Sequence, residues 1–259
     1  MDVVVLMKMV PDAAQKIEVD AASGQLKAST LNLIPFESDE HALEEALLIK
    51  ERTGATVTVV TTDLPGGDVA LWTALAKGAT HALLVTRGRP YEPRSTGELA
   101  RIYAKLLETI PHDLVLTGAQ APDDVEGELG ALLAAQLGLP YISVAVAVRP
   151  DEGTHSAEVT TELGGGLRSV YESALPLVVG IQTSETPPRY APFLQIRAAQ
   201  RSKRTRSVAV EPVPFDPKVE VVALHKPVAG KGATMLEGSP EEVAGRLVEI
   251  LAEKELVGG

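Results

Sequence analysis

Leu114-Val115-Leu116-Thr117, followed by Gly118-Ala119-Gln120-Ala121-Pro122-Asp123-Asp124-Val125-Glu126-Gly127-Glu128-Leu129-Gly130, is the stretch that decides the fold. The first four residues read as a strand buried on both faces, as strands of a parallel sheet are. A glycine-bearing acidic turn follows, and a helical pattern runs from about Val125 to Leu137. In a parallel sheet, such a turn lies at the carboxyl edge, where nucleotides sit. N–H groups at the helix start can hold a phosphate, and Gly127 and Gly130 permit close approach of the backbone. The pattern is neither a Walker loop, which needs Gly-Lys-Ser/Thr, nor a G-x-G-x-x-G fingerprint. Two readings stay open from spacing alone: a nucleotide-binding turn, or a plain loop with an acidic helix start.

Moving outward, Val3–Met7, Val57–Thr61 and Ala82–Val85 have the same buried-strand character. Helical patterns alternate with them. Ser38 can cap a helix with Asp39 and Glu40 in its first turn and Ala42, Leu43, Ala46 and Leu47 on one stripe, ended by Gly54. A second helix runs from about Asp68 to Lys77, and a third opens with a Ser95–Glu98 capping box. This alternation predicts an α/β fold with a doubly wound, mainly parallel, Rossmann-like sheet of the adenine-nucleotide-binding type.

The texture changes after about Ile142. Ile142–Arg149 and Glu158–Glu162 alternate apolar and polar residues, and Gly164-Gly165-Gly166 precedes Leu167–Tyr171, which reads as an added β-hairpin. Leu177–Ile181 is another buried strand. Thr186-Pro187-Pro188-Arg189-Tyr190-Ala191-Pro192 is too proline-rich for a helix or a central strand. A basic run from Arg197 to Arg206 follows, and the last fifty-odd residues read as an arm. That arm contains Gly230-Lys231-Gly232 and ends in a helix capped by Ser239, with Pro240 at its first position and Glu242 closing a capping box. The expected division is residues 1–200 for the nucleotide-binding domain and 201–259 for the arm.

Composition narrows the chemistry. The 259 residues carry a net charge of −11, which disfavours nucleic acid or an anionic membrane as a partner. There is no cysteine, hence no disulfide, thiolate nucleophile or cysteine-ligated cluster. His41, His81, His112, His155 and His225 have no metal-ligand spacing, so no metal site is expected. There is no G-x-S-x-G elbow, and no set of catalytic residues stands out. No run approaches the ~20 apolar residues of a membrane helix, and no secretory signal is visible, so a cytoplasmic chain is expected. Gly164–Gly166 reads as a turn between strands, since no helix follows it. The basic run lacks interleaved aromatics and reads as a solvated or partner-facing surface. Ile34-Pro35-Phe36-Glu37-Ser38 admits two readings: an adenine-side lid, or a hydrophobic staple in which Phe36 packs on the helix behind Ser38.

Taken in order, six motifs resemble the β (small) subunits of electron transfer flavoproteins, the family that includes FixA. Val4-Val5-Leu6-Met7-Lys8-Met9-Val10-Pro11-Asp12 is similar to that family's strand and Lys-x-Val-x-Asp turn. Pro35-Phe36 and Ala42-Leu43-Glu44-Glu45-Ala46 resemble its Asn-Pro-Phe/Tyr and Ala-Val/Leu-Glu-Glu-Ala elements, and Thr73-Ala74-Leu75-Ala76-Lys77-Gly78-Ala79 its Ala-Leu-Ala-x-Gly-Ala turn. Gly118, Gln120, Ala121 and Asp123 match Gly-x-Gln-Ala-x-Asp, Gly165-Gly166-Leu167 the hairpin, and Pro188-Arg189-Tyr190-Ala191 a Pro-Arg-Tyr-Ala signature. The matches run from residue 3 to about 200.

The resemblance implies a heterodimer with an α subunit that holds most of the FAD, while this subunit binds a structural AMP. It implies electron transfer from acyl-CoA and related dehydrogenases to a membrane ETF–quinone oxidoreductase. The nucleotide positions it implies are Leu6, Ile34, Pro35, Phe36, Glu37, Thr62, Gly118, Gln120, Ala121, Asp123, Asp124, Val125, Glu126, Gly127, Glu128, Leu129 and Gly130. A partner recognition loop is implied over about 184–200, with Arg189, Tyr190, Ala191, Pro192, Leu194 and Ile196 around an apolar anchor at Phe193. The arm after residue 200 is expected to dock on the α subunit. Two departures stand out. The family usually offers Thr, Asn or Gln at the phosphate turn, where this chain has Gly127, Glu128 and Leu129 beside Glu126; a carboxylate near a phosphate is unfavourable unless it points away. The tyrosine that animal members carry after the first-loop aspartate is Ala13 here. Two alternatives remain at this point: a bifurcating-type β subunit holding a second FAD, and a stand-alone adenine-nucleotide-binding stress or signalling module.

Overall fold

The computed structural model describes every residue except 21–23, 28–29, 87–95, 125–126, 212–221, 223, 225–229, 231 and 257–259. In chain order, the first half comprises β1 (Asp2–Leu6), β2 (Met9–Pro11), β3 (Leu33–Pro35), α1 (Glu37–Thr53), β4 (Thr56–Thr62), α2 (Gly67–Lys77), β5 (His81–Thr86), α3 (Thr96–Leu107), β6 (Leu114–Gly118) and α4 (Leu129–Leu137). The second comprises β7 (Tyr141–Asp151), β8 (Ser156–Gly164), β9 (Leu167–Ala174), β10 (Leu177–Ile181), α5 (Phe193–Arg201), β11 (Thr205–Ala209) and α6 (Pro240–Glu253).

The apolar runs become adjacent parallel strands in a sheet of order β11-β5-β4-β1-β6-β10-β7-β8-β9. β1 sits between β4 and β6, with Leu6 opposite Val60 on one side and Thr117 on the other. Its side chains alternate between two cores, as strand geometry dictates. Val3 and Val5 pack with Leu43 and Leu47 of α1 and Leu71 and Leu75 of α2. Val4 and Leu6 pack with Ile102, Tyr103 and Leu106 of α3 and Leu133 of α4. Helices therefore cover both faces, and the sheet is doubly wound. From β1 the chain steps outward to β4 and β5, then returns to lay β6 on the other side of β1. That reversal is a topological switch point, where an open parallel sheet offers a crevice at the carboxyl ends of its strands, here β1 and β6.

The expected hairpin is present as antiparallel β8 and β9. Gly164, Gly165 and Gly166 between them all have positive φ (81°, 61° and 79°), a conformation that side-chain-bearing residues rarely adopt. The expected Ser239 capping box is also formed at the start of α6.

Four expectations need correction. The helix after β6 begins at Leu129 rather than near Val125, because Gly127 sits in the left-handed region (φ 67°) and stops any earlier helical turn. Ser38 is not a cap: α1 opens at Glu37 with Phe36 as N-cap, and the Ser38 hydroxyl is used elsewhere. The segment after the Pro-Arg-Tyr-Ala signature is a helix, α5, from Phe193 onward rather than a loop. Thr205–Ala209 pairs in parallel with β5, so the sheet continues beyond the expected boundary at residue 200. Residues form two compact units, Met1–Val222 and Ala223–Gly259. Ser95 of the expected capping box and Lys231 lie outside the described residues.

Candidate functional site

The crevice is built around Asp39, in the first turn of α1. Its carboxylate accepts the Lys8 N–H at 2.8 Å and the Gly118 N–H at 2.8 Å, so one side chain ties the chain two residues past β1's end to the last residue of β6. Ser38 beside it donates its hydroxyl to the Gln120 carbonyl at 2.9 Å. Asp39 is 3% exposed, and burial pushes its carboxyl up to about 7 against the two N–H groups and the nearby Lys8 charge. A side chain at Gly118 would displace this pair: a Cβ there would lie 2.3 Å from Ser38 Oγ and 2.7 Å from Asp39 Oδ1.

Lys8 Nζ turns into the same crevice and pairs with Asp123 Oδ1 at 2.9 Å, with Asp124 Oδ2 at 3.9 Å. The acidic turn is thus partly neutralised. Asp124 also accepts the Glu128 N–H at 3.3 Å, so a carboxylate already takes the N–H of the N-cap residue of α4. Glu128 itself is exposed. Gly127 and Gly130 have internal reasons to lack side chains. A Cβ on Gly127 would be 2.5 Å from the Ala119 carbonyl oxygen, and one on Gly130 would be 2.6 Å from the Tyr141 ring. These contacts account for both glycines without a ligand.

The other nucleotide candidates are distributed along this edge. Leu6 ends β1 and Thr62 ends β4, both buried. Ile34 and Pro35 lie in β3, which pairs antiparallel with β2 beyond the end of β1. Phe36 is half-buried at the head of α1, and Glu37 is exposed. Gly118, Gln120, Ala121, Asp123 and Asp124 form the turn after β6, where the Asp124 N–H returns to the Ala121 carbonyl. Leu129 and Gly130 are buried in the first turn of α4. Val125 and Glu126 lie outside the described residues.

The partner-recognition candidates are on a separate surface. Residues 182–192 have neither helix nor strand. Within them Arg189 is fastened to α1: Nη2 donates to Glu44 Oε1 at 2.7 Å, Nε to both Glu44 oxygens at 3.0 Å, and Nη1 to Glu51 Oε1 at 2.6 Å. The hydrogen bond and charge of Arg189 hold the Glu51 carboxyl below its usual range, and the bonds to Glu44 and Glu51 push the guanidinium further up. Ala191 is buried, while Tyr190, Phe193 and Leu194 are 84%, 66% and 80% exposed. Arg197 lies over the Phe193 ring at 5.9 Å to its centroid, one turn along α5, and Ile196 is half-buried.

Sequence reasoning passed over Lys8, Asp39 and Glu44. Lys8 and Glu44 were visible only as letters of motifs, and Asp39 only as an acidic residue at a helix start. An acidic residue at such a position is common on exposed helices; its complete burial depends on β1 and β6 converging above it. Among the described residues no cluster of three or more His, Asp or Glu could hold a metal, and no helix is long and apolar enough to cross a membrane.

The sheet order, the helices on both faces and the reversal at β1 and β6 define a doubly wound α/β protein with a mainly parallel sheet. Residues 24–216 match the family model of the electron transfer flavoprotein domain. The chain is 33% identical to an electron transfer flavoprotein subunit beta of Syntrophomonas wolfei, covering 95% of this chain and 94% of that protein. It is 31% identical to the mitochondrial subunit beta of Arabidopsis thaliana, covering 93% and 95%. It is 35% identical to the protein FixA of Azotobacter vinelandii, over 68% of this chain and 63% of that one. The chain belongs to the electron transfer flavoprotein family, on the branch of the β subunits and FixA.

Proposed function

We propose that this chain pairs with an α subunit to form a carrier that takes electrons from acyl-CoA and related dehydrogenases and passes them to an ETF–quinone oxidoreductase. FAD is held mainly by the α subunit, and AMP is the structural ligand of this one. The β chain contributes surfaces rather than catalytic residues: one that binds the nucleotide and one that meets the dehydrogenase. FAD supplies the redox chemistry when bound, and the AMP supplies none.

The exposed Phe193–Leu194 end of α5 carries this reading. Two neighbouring large apolar side chains exposed on a segment that is otherwise pinned to the fold suit a docking anchor better than a monomer surface. For AMP, the fit rests on the crevice at the carboxyl ends of β1 and β6. Leu6, Thr62 and Ile34–Glu37 border one side of it, and the Gly118–Asp124 turn borders the other. Lys8 is the cation placed to meet a phosphate, by exchanging its pairing with Asp123. The C-terminal arm after Val222 is assigned to the α-subunit contact. Its α6 carries Leu247, Ile250 and Leu251, all exposed.

The experiment is flavin reduction in the heterodimer by an acyl-CoA dehydrogenase at varied carrier concentration. Phe193→Ala should raise the half-saturating concentration roughly ten- to a hundredfold, the ~1.5–3 kcal/mol of burying such a side chain. An unchanged half-saturation point with unchanged thermal stability would place docking elsewhere.

A further inference from the structure

The segment that leads into α5 lies outside the sheet and every helix, yet it ends at the exposed anchor. Its position depends on side-chain ties. Ser184 donates its N–H to His41 Nδ1 at 3.1 Å, Glu185 pairs with Arg52 at 2.8 Å and with Arg149, and Arg189 binds Glu44 and Glu51. His41, Glu44, Glu51 and Arg52 all belong to α1.

Glu44 differs from the rest of this set. Its side chain is 3% exposed, while Glu51 and Arg52 are 56% and 38% exposed. It also binds Arg189 twice over, through the guanidinium and through the backbone N–H, which donates to Oε2 at 2.9 Å. A side-chain pair alone fixes a guanidinium and leaves the chain free to pivot. A backbone bond together with a bidentate pair fixes the peptide plane as well. The next residues are then constrained in turn: Ala191 is buried, and Pro192, with its locked φ, is the N-cap of α5. Phe193 follows at once.

We propose that Glu44 is a positioning residue for partner docking. By holding Arg189 through side chain and backbone, it sets the direction in which α5 presents Phe193 and Leu194. The inference rests on the docking role proposed above for that end of α5. A free strap would have to be ordered at each encounter, and that ordering entropy weakens binding. A buried carboxylate is an expensive way to secure a surface segment unless its position matters, because Glu44 left without Arg189 would be a desolvated charge.

The test uses the heterodimer and varies carrier concentration against an acyl-CoA dehydrogenase. Glu44→Gln keeps the shape and an acceptor but loses the charge, and Arg189→Lys keeps the charge but loses the fork. Each should raise the half-saturating concentration about three- to tenfold, with the rate at saturation moving by less than about twofold. Because both act through one contact, the double variant should be no worse than the worse single. Trypsin should also cleave after Arg189 in Glu44→Gln and spare it in the wild type. Phe193→Ala is run in the same series. If it raises half-saturation and neither Glu44→Gln nor Arg189→Lys does, Glu44 is a fold staple and the inference is overturned. If Phe193→Ala has no effect either, the docking reading falls and takes the inference with it. Should Glu44→Gln fail to fold, Arg189→Lys decides alone.

Discussion

Replacing Gly118 by alanine tests whether the crevice is held by the contacts described. The new methyl would stand 2.3 Å from Ser38 Oγ, 2.7 Å from Asp39 Oδ1 and 3.2 Å from the Asp39 nitrogen. The serine hydroxyl can rotate away, but only by leaving the Gln120 carbonyl, a loss of roughly 0.5–1.5 kcal/mol. The carboxylate has less freedom, because its other oxygen holds the Lys8 N–H and it is buried on all sides. Above about pH 7, where the carboxyl is ionised, pushing it off the Gly118 N–H weakens a charge-assisted bond worth roughly 1.5–3 kcal/mol. The expected destabilisation is therefore about 2–4 kcal/mol, or a fall in Tm of roughly 5–15 °C for a chain of this size. Thermal and urea unfolding of the isolated chain give the first readout, and AMP titration the second, since both edges of the crevice move apart. A stability change within about 0.5 kcal/mol, with AMP affinity unaltered, would mean that the Asp39 tie is slack and does not shape the crevice.

Asp39 should also leave a pH signature. Its folded-state value is raised from 3.8 to about 7 by burial, so between those values the folded chain holds a proton that the unfolded chain has released. Its contribution to stability is complete below about pH 4, is lost as pH rises through about 7, and falls at up to about 1.4 kcal/mol per pH unit in between. Urea unfolding of the wild type and Asp39→Asn from about pH 4 to 8 should show this slope only in the wild type, and parallel curves would rule it out. Deleting residues 223–259, the second compact unit, should weaken the heterodimer. Equal heterodimer affinity for the truncated and full chains would remove the arm from the α-subunit contact.

The sheet was legible because parallel strands buried on both faces have to be continuously apolar, as Val3–Met7 and Leu114–Thr117 are. The hairpin was legible from its three glycines, which all adopt a backbone that other residues avoid. β11 was not, since Thr205-Arg206-Ser207-Val208-Ala209 is an edge strand with only partial burial, and Arg206 within it is exposed. The start of α4 was misplaced because Asp123, Asp124 and Glu126 resemble a first helical turn, while the left-handed Gly127 that interrupts them depends on Ala119 lying behind it. In consequence Gly127→Glu is a poor probe of phosphate binding: it would strain the backbone whether or not a phosphate binds there. The individual contacts of the site were least legible. Asp39 to Gly118 spans 79 positions and Glu44 to Arg189 spans 145, and single-sequence patterns carry no record of pairings at such distances.

The most direct test of the central claim is to purify the chain alone and together with its α subunit, and to record the spectrum and bound nucleotides of each. The isolated chain should be colourless, and the one-to-one complex should carry flavin bands. Those bands should bleach when an acyl-CoA dehydrogenase and its substrate are added, and AMP should be released on denaturation. A chain that elutes alone in the presence of the α subunit, or a complex whose flavin the dehydrogenase leaves oxidised, would contradict it.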